Sequence, residues 1–487
     1  MKILNIMILS LFTLQTTSFA SMLQKDNAYY KQGQEFLKKK LQIKRNTNTA
    51  KNVILLIADG NGITSNYISR IFTGQLKGMV GEEYVQAHET FPYTGLVKTY
   101  NTDMQTPDSA GTGTAFHSGV KTFAGSINID NSIKRGECKK TESALITPPS
   151  KIFSDMKKSV GVVSTARLTH ATPATAYANA VDRNYENNED VPKNCNAPDI
   201  ATQLIKSLEQ GTVDVAFGGG ARNFVSNNSQ VHGKKGKRTD GKNLILEAKN
   251  RGVKYIDDKK GLQNISITNI EKSPVLGLFS SSHMSYDNDR IDDRNNNEPS
   301  LADMSEKAIS LLETNQRGYF LTIESGRIDH ALHDNNAYRS AQEGRAFAEA
   351  VQRVIEKVDL SETLVIVTAD HSHGVALSGG CALNSDIMGL CKDLNGLNKK
   401  DENGKPFTSI VFATGSSDVV YKERPALTES QVKNKNYKQE SLIPTKYEQH
   451  SAEDVAVYAT GPWSHLLTGT IEQNYIFLVM QHAVSPK

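Results

Sequence analysis

Val53-Ile54-Leu55-Leu56-Ile57-Ala58-Asp59-Gly60-Asn61-Gly62 is an unbroken apolar run that stops on an acid and a glycine-rich turn. Six apolar residues without polar alternation are too short for a helix and suit a strand buried on both faces. Comparable runs recur at 160–165, 213–217, 319–323, 364–368, 410–413 and 455–459. Helical patterns at 301–314 and 339–356 lie between some of them. This alternation predicts an α/β fold, a three-layer sandwich whose central, mostly parallel sheet is flanked by helices. Residues 223–297, rich in Lys, Asn, Asp and Gly, and residues 378–407 read as loop-rich insertions.

The rest of the chain narrows the class. With 487 residues, 38% hydrophobic and 22% charged, it is neither a disordered polymer nor a polytopic membrane protein. Lys+Arg 56 against Asp+Glu 53 leaves a net charge of +3, which argues against a nucleic-acid binder and makes any anion recognition local. Met1-Lys2, the apolar stretch 3–14 and Ser18-Phe19-Ala20 read as a secretory signal cleaved after Ala20. Residues 21–487 would then form one exported α/β domain, periplasmic or secreted, without a membrane span. Cys138, Cys195, Cys381 and Cys391 suit two disulfides in that compartment, with three pairings open.

Three of the runs deliver acids and histidines at their ends. The first meets Asp59; residues 319–323 meet Glu324, with Asp329 and His333 beyond; residues 364–368 lead to Asp370-His371. Ligands of open α/β sheets bind outside the carboxyl ends of the strands. Carboxylates gathered there repel one another unless cations intervene, so the pattern predicts a polynuclear metal site. Mixed imidazole and carboxylate ligands suit zinc, and an oxygen-rich set suits magnesium. A second constellation, Thr106-Pro107-Asp108-Ser109-Ala110-Gly111-Thr112-Gly113-Thr114, places Ser109 where a helix can begin with its N–H groups facing an anion. No Gly-x-Ser-x-Gly elbow surrounds it, which disfavours a Ser-His-Asp hydrolase.

Taken in order, Asp108-Ser-Ala-Gly-Thr-Gly-Thr, Glu324-Ser-Gly-Arg-Ile-Asp329-His-Ala-Leu-His333, Thr368-Ala-Asp370-His371-Ser-His-Gly and His450-Ser-Ala-Glu-Asp resemble the motifs of alkaline phosphatases. The resemblance runs from about Asp26 to near the C-terminus and includes His170-Ala-Thr172-Pro and Arg183. It implies hydrolysis of phosphate monoesters through a phosphoserine on Ser109, at two Zn2+ and one Mg2+ per subunit, with an alkaline optimum. Asp329, His333 and His450 match the ligands of the first zinc; Asp59, Asp370 and His371 match those of the second. Asp59, Thr172 and Glu324 match the magnesium ligands, and Arg183 matches the arginine that clamps two phosphoryl oxygens. On spacing alone, a salt bridge from Arg183 to Asp182 or Glu186 is the competing reading.

His170 and His330 match the flanking pair of the animal-like type. That type also carries calcium, but Ser280 follows Phe279 where an acid is expected, which counts against calcium here. Thr106 and Asn61 depart from the usual motif residues and carry no ligand. The resemblance further implies a homodimer, with an amphipathic helix over 27–43 as its arm. Related phosphodiesterases usually have a threonine nucleophile and lack the Arg183 clamp, and sulfatases need a Cys/Ser-x-Pro-x-Arg context absent around Ser109. An exported metal-binding or phosphate-binding protein would not need Ser109.

Overall fold

The computed structural model describes residues 23–138, 141–416 and 424–486, so the signal read over residues 1–20 lies outside it. Two compact units divide the chain, one ending at Lys44 and the other running from Arg45 to Lys487. In the first, the helix Ala28–Leu41 starts where Asn27 caps it, the side-chain oxygen accepting from Tyr29 N at 2.9 Å. None of its residues is buried.

The second unit is built on a ten-stranded sheet. In chain order its strands are β1 (Asn52–Ala58), β2 (Tyr93–Lys98), β3 (Ser159–Arg167), β4 (Val215–Gly219) and β5 (Lys254–Ile256). They continue as β6 (Val275–Leu278), β7 (Tyr319–Ser325), β8 (Thr363–Thr368), β9 (Val455–Thr460) and β10 (Gly469–Glu472). Across the sheet the order is β10-β2-β9-β8-β1-β7-β3-β4-β6-β5. β9 is antiparallel to both of its neighbours, and the remaining pairs are parallel.

Every residue of β1 is buried, because helices cover both faces of the sheet. Val53, Leu55 and Ile57 join one core with Phe116, Phe153 and Phe320. Ile54, Leu56 and Ala58 join the opposite core with Ile68, Phe347 and Val351. The alternation follows from the two-residue period of a strand. Helices Leu301–Leu312 and Ala337–Lys357 pack on the second face, the former started by a capping box between Ser300 and Asp303.

Register fixes where the chemistry lies. Ile57 stands opposite Thr368 on one side and Glu324 on the other, and Ser164 of β3 also faces Glu324. Four strands therefore end in step at one edge. Because β9 runs the other way, the residues before it, not after it, reach that edge. There Ser451 and His450 pair with Ser372 and His373 in a two-residue ladder.

Two segments differ from the simplest reading of the sequence. The apolar run at 410–413 lies outside the large sheet, in Ile410–Gly415 of a three-stranded sheet with Val375–Leu377 and Ser441–Pro444. Its burial is intermittent along the strand, as expected of a strand covered on one side. Within residues 223–297, β5 and β6 extend the large sheet. The disulfides pair Cys138 with Cys195 and Cys381 with Cys391. Among the described residues, no helix is long and apolar enough to cross a membrane.

Candidate active site

The strand ends bring a dense group of acids together. Asp59, just past β1, is fully buried, and neither of its carboxylate oxygens has a hydrogen-bond partner. Asp370 accepts at Oδ1 from Gly60 N at 3.0 Å and His371 N at 2.9 Å, which leaves Oδ2 unpartnered. Glu324 takes the Ser164 hydroxyl on one oxygen and leaves the other bare, and Thr172 Oγ1 beside it is also buried without a partner. Burial pushes the Asp59 carboxyl up, and the charges of Asp370, Asp329 and Glu324 push it further. Burial also raises Glu324 to about 7 and lifts Asp370. Orphaned buried oxygens cost free energy unless something binds them. Divalent cations fit that need.

Imidazoles complete the group on the other side. His333 Nδ1 donates to Glu448 O at 2.6 Å, and His450 Nδ1 donates to Pro107 O at 2.7 Å. Each bond fixes the tautomer and leaves Nε2 with its lone pair. The two Nε2 atoms lie 3.1 Å apart, and each is 3.4 Å from Asp329 Oδ1. His371 Nε2 lies 3.6 Å from Asp59 Oδ1 and 3.2 Å from Asp370 Oδ2. Burial lowers the titration of His371 well below the ordinary histidine value, so the ring is neutral. Asp59 thus lies in two groups of possible ligands, one with Asp370 and His371 and one with Glu324 and His170.

Ser109 opens the helix Ser109–Ser118 and is buried, its Oγ 3.2 Å from His371 Nε2. The helix starts here because Asp108 caps it, with Oδ1 accepting from Gly111 N at 3.0 Å and from Gly125 N at 2.9 Å. The other oxygen of Asp108 accepts from Arg183 Nη1 at 3.0 Å, and Arg183 Nη2 donates to His170 Nε2 at 3.1 Å. The competing partners are taken elsewhere: Asp182 pairs with Arg135, and Glu186 pairs with Arg167. Each terminal nitrogen of a guanidinium carries two hydrogens, so Arg183 keeps one N–H on each for an anion. Glycine is needed at 111, where a Cβ would come within 2.1 Å of Asn101 Nδ2. His170 and His330 flank the pocket with ring centroids 5.5 Å apart.

Some functional residues were not singled out by sequence reasoning. His373 lies inside the quoted Asp370-His371 motif; its Nε2 is 2.7 Å from Asp329 Oδ1, and its Nδ1 meets the Glu448 carboxylate. Burial alone would lower its titration, but Glu448 and Asp329 outweigh that and hold it at about 10. The motif was the only signal for His373. Glu448 had none beyond standing two residues before His450. The Asp108–Arg183 pair likewise depends on a contact between distant segments.

Residues 50–485 match the sequence profile of the family described as Alkaline phosphatase. The rat tissue-nonspecific isozyme of alkaline phosphatase is 36% identical over 498 residues, covering 99% of this chain and 93% of the relative. Alkaline phosphatase of Gadus morhua is 35% identical, over 90% of this chain and 92% of its own. Among solved structures, the Thermus thermophilus enzyme superposes with a TM-score of 0.66 at 22% identity, covering 91% of this chain and 93% of that one. The alkaline phosphatase from the Antarctic bacterium TAB5 superposes with 0.61 at 23%, covering 90% and 99%. A three-layer fold, a buried serine among acids and imidazoles, and these likenesses make the chain a member of the alkaline phosphatase family, the metal-dependent hydrolases of phosphate monoesters.

Proposed function

We propose that the chain hydrolyses phosphate monoesters through a covalent phosphoserine on Ser109. Asp329, His333 and His450 would hold one zinc and Asp59, Asp370 and His371 a second, while Asp59, Thr172 and Glu324 would hold magnesium. The observation that carries this reading is the set of buried ligand atoms without partners, the oxygens of Asp59, Glu324, Thr172 and Asp370, gathered around one serine. The bound ions supply positive charge to the attacking, equatorial and leaving oxygens of a phosphoryl group.

The chain's own residues do the rest. Ser109 Oγ attacks phosphorus and loses its proton, the alcohol departs, and a water then attacks the phosphoserine to release inorganic phosphate and restore the hydroxyl. Arg183, steadied by Asp108, offers two parallel N–H groups to two oxygens of one phosphate, a geometry that lysine lacks. The hydroxyl and the water both act as their conjugate bases, so activity rises toward alkaline pH. His170 and His330 flank the magnesium set. Calcium is not part of this reading, because Ser280 offers a neutral hydroxyl that already donates to His283 O at 3.0 Å.

The protein acts outside the cytoplasm, periplasmic or secreted, after loss of the signal, as a homodimer. The exposed Tyr29, Phe36, Leu37 and Leu41 of the N-terminal helix support an arm laid on a second subunit; sedimentation of a chain lacking residues 21–44 as a monomer would bear this out. Turnover of an aryl phosphate tests the chemistry. It should vanish on chelation, return with zinc plus magnesium, and fall by at least ~1000-fold in Ser109→Ala. Wild-type turnover in that variant, or a metal-free active sample, overturns the proposal.

A further inference from the structure

The ladders that β8 makes with β1 and β9 end at Thr368, just before Asp370 and His371. The peptide that joins these two residues must therefore find its hydrogen bonds outside the sheet. Its N–H, on His371, donates to Asp370 Oδ1 at 2.9 Å, and its carbonyl, on Asp370, accepts from Gln473 Nε2 at 2.8 Å. Gln473 stands 103 positions further along the chain and is fully buried, as Asp370 and His371 are. The peptide is thus pinned at both polar atoms. One side chain leaves the backbone just before this plane and the other just after it, so a rotation of the plane re-aims the carboxylate and the imidazole together. The same imidazole faces Ser109 Oγ at 3.2 Å.

Gln473 is itself held from both sides. Glu472, the last residue of β10, pairs with Lys98 and Lys121, each at 2.8 Å. Asn474 donates from Nδ2 to Gly119 O at 3.0 Å, at the left-handed residue that closes the helix Ser109–Ser118. The helix Tyr475–Val484 follows and buries Ile476, Val479 and Met480 in the core. A side chain between anchored neighbours keeps its aim. As mere filling, a glutamine is a poor choice here. Its Oε1 is buried without a partner, a desolvation cost that an apolar side chain of similar length avoids. What glutamine adds is the donor.

We propose that Gln473 is a positioning residue for Asp370 and His371: by holding the peptide between them, it sets the aim of both ligands at the zinc they share with Asp59. The inference rests on the proposed metal centre and gives one of its ligand sets a support from the C-terminal segment. Gln473 touches neither ion nor substrate and acts through the Asp370 carbonyl alone.

The test compares full-length wild type, Gln473→Met, Gln473→Asn and Asn474→Ala at fixed magnesium across a range of buffered free Zn2+. Bound zinc per chain is read by elemental analysis, and melting of the metal-free proteins is read beside it. In Gln473→Met, and in Gln473→Asn, whose amide stops a methylene short, the zinc concentration that half-fills one of the two sites should rise about 10–100-fold. The other site should fill as in wild type. Asn474→Ala loses a bond of the same kind to Gly119, so it should melt lower yet bind zinc as wild type does. Zinc bound alike by wild type and both Gln473 variants overturns the proposal, and so does an equal loss in Asn474→Ala, which would make the segment a structural prop only. If the methionine variant fails to fold, the asparagine variant carries the comparison. A wild type that binds no zinc sinks the metal centre itself and this proposal with it, an outcome distinct from failure of Gln473 alone.

Discussion

His373 acts on Asp329 and not on a substrate, held between that carboxylate and Glu448. Partners that orient a ligand in this way commonly change metal affinity by about 10–100-fold when removed. His373→Ala should therefore raise the zinc concentration needed for half activity by that factor, with turnover recovering at excess zinc; a zinc titration checks it. Asp214 is a residue of another kind, buried at the opposite end of the sheet, where it accepts from Val160 N at 2.8 Å. Burial raises its carboxyl from 3.8 to about 7. The folded chain then keeps a proton that the unfolded chain loses between those values. The stabilisation is complete below about pH 4 and fades as pH rises to 7. In Asp214→Asn that slope disappears, so the variant's Tm should gain on wild type from pH 4 to 7 and hold a constant offset above; melting curves across the range read it. At this scale the sequence was partly legible. Asp59, Asp370 and His371 stood out because they end apolar runs. Arg183 was ambiguous, since choosing Asp108 over Asp182 or Glu186 depends on a contact across 75 positions.

The helix Ser109–Ser118 shows how an element carries a site. Its glycines are there for clearance: a Cβ at 111 meets Asn101, and one at 113 comes within 2.7 Å of Thr175 Oγ1. Gly111→Ala should displace the start of the helix and with it Ser109. Misplacement of about 1 Å costs about 100-fold in rate, so kcat should fall far more steeply than thermal stability, as paired kinetics and melting would show. The strands were readable as elements because burial on both faces removes polar alternation from β1, β7 and β8. The run at 410–413 has the same composition yet lies in another sheet. Four residues specify a strand but not its neighbours, and pairing is decided by segments 29 or more positions away, such as Ser441–Pro444.

In the whole molecule, covalent and electrostatic ties share the work. Cys138–Cys195 spans 57 positions and Cys381–Cys391 spans 10. Chain entropy assigns the longer loop about 4 kcal/mol and the shorter about 3 kcal/mol. Replacing both cysteines of the longer pair by serine should therefore lower Tm more than the same change in the shorter pair, measured with ions present. The sheet order was only half accessible from sequence, because nothing in residues 455–459 announces that β9 is reversed. That reversal decides when the centre can exist. A nascent chain stopped at residue 440 already contains β1, β7 and β8 with their acids, yet lacks the imidazole that the reversed strand introduces from its leading end. On the proposed ligand set, ripening of the pocket thus waits for almost the last tenth of synthesis, and a chain that stops short of His450 would be chemically silent.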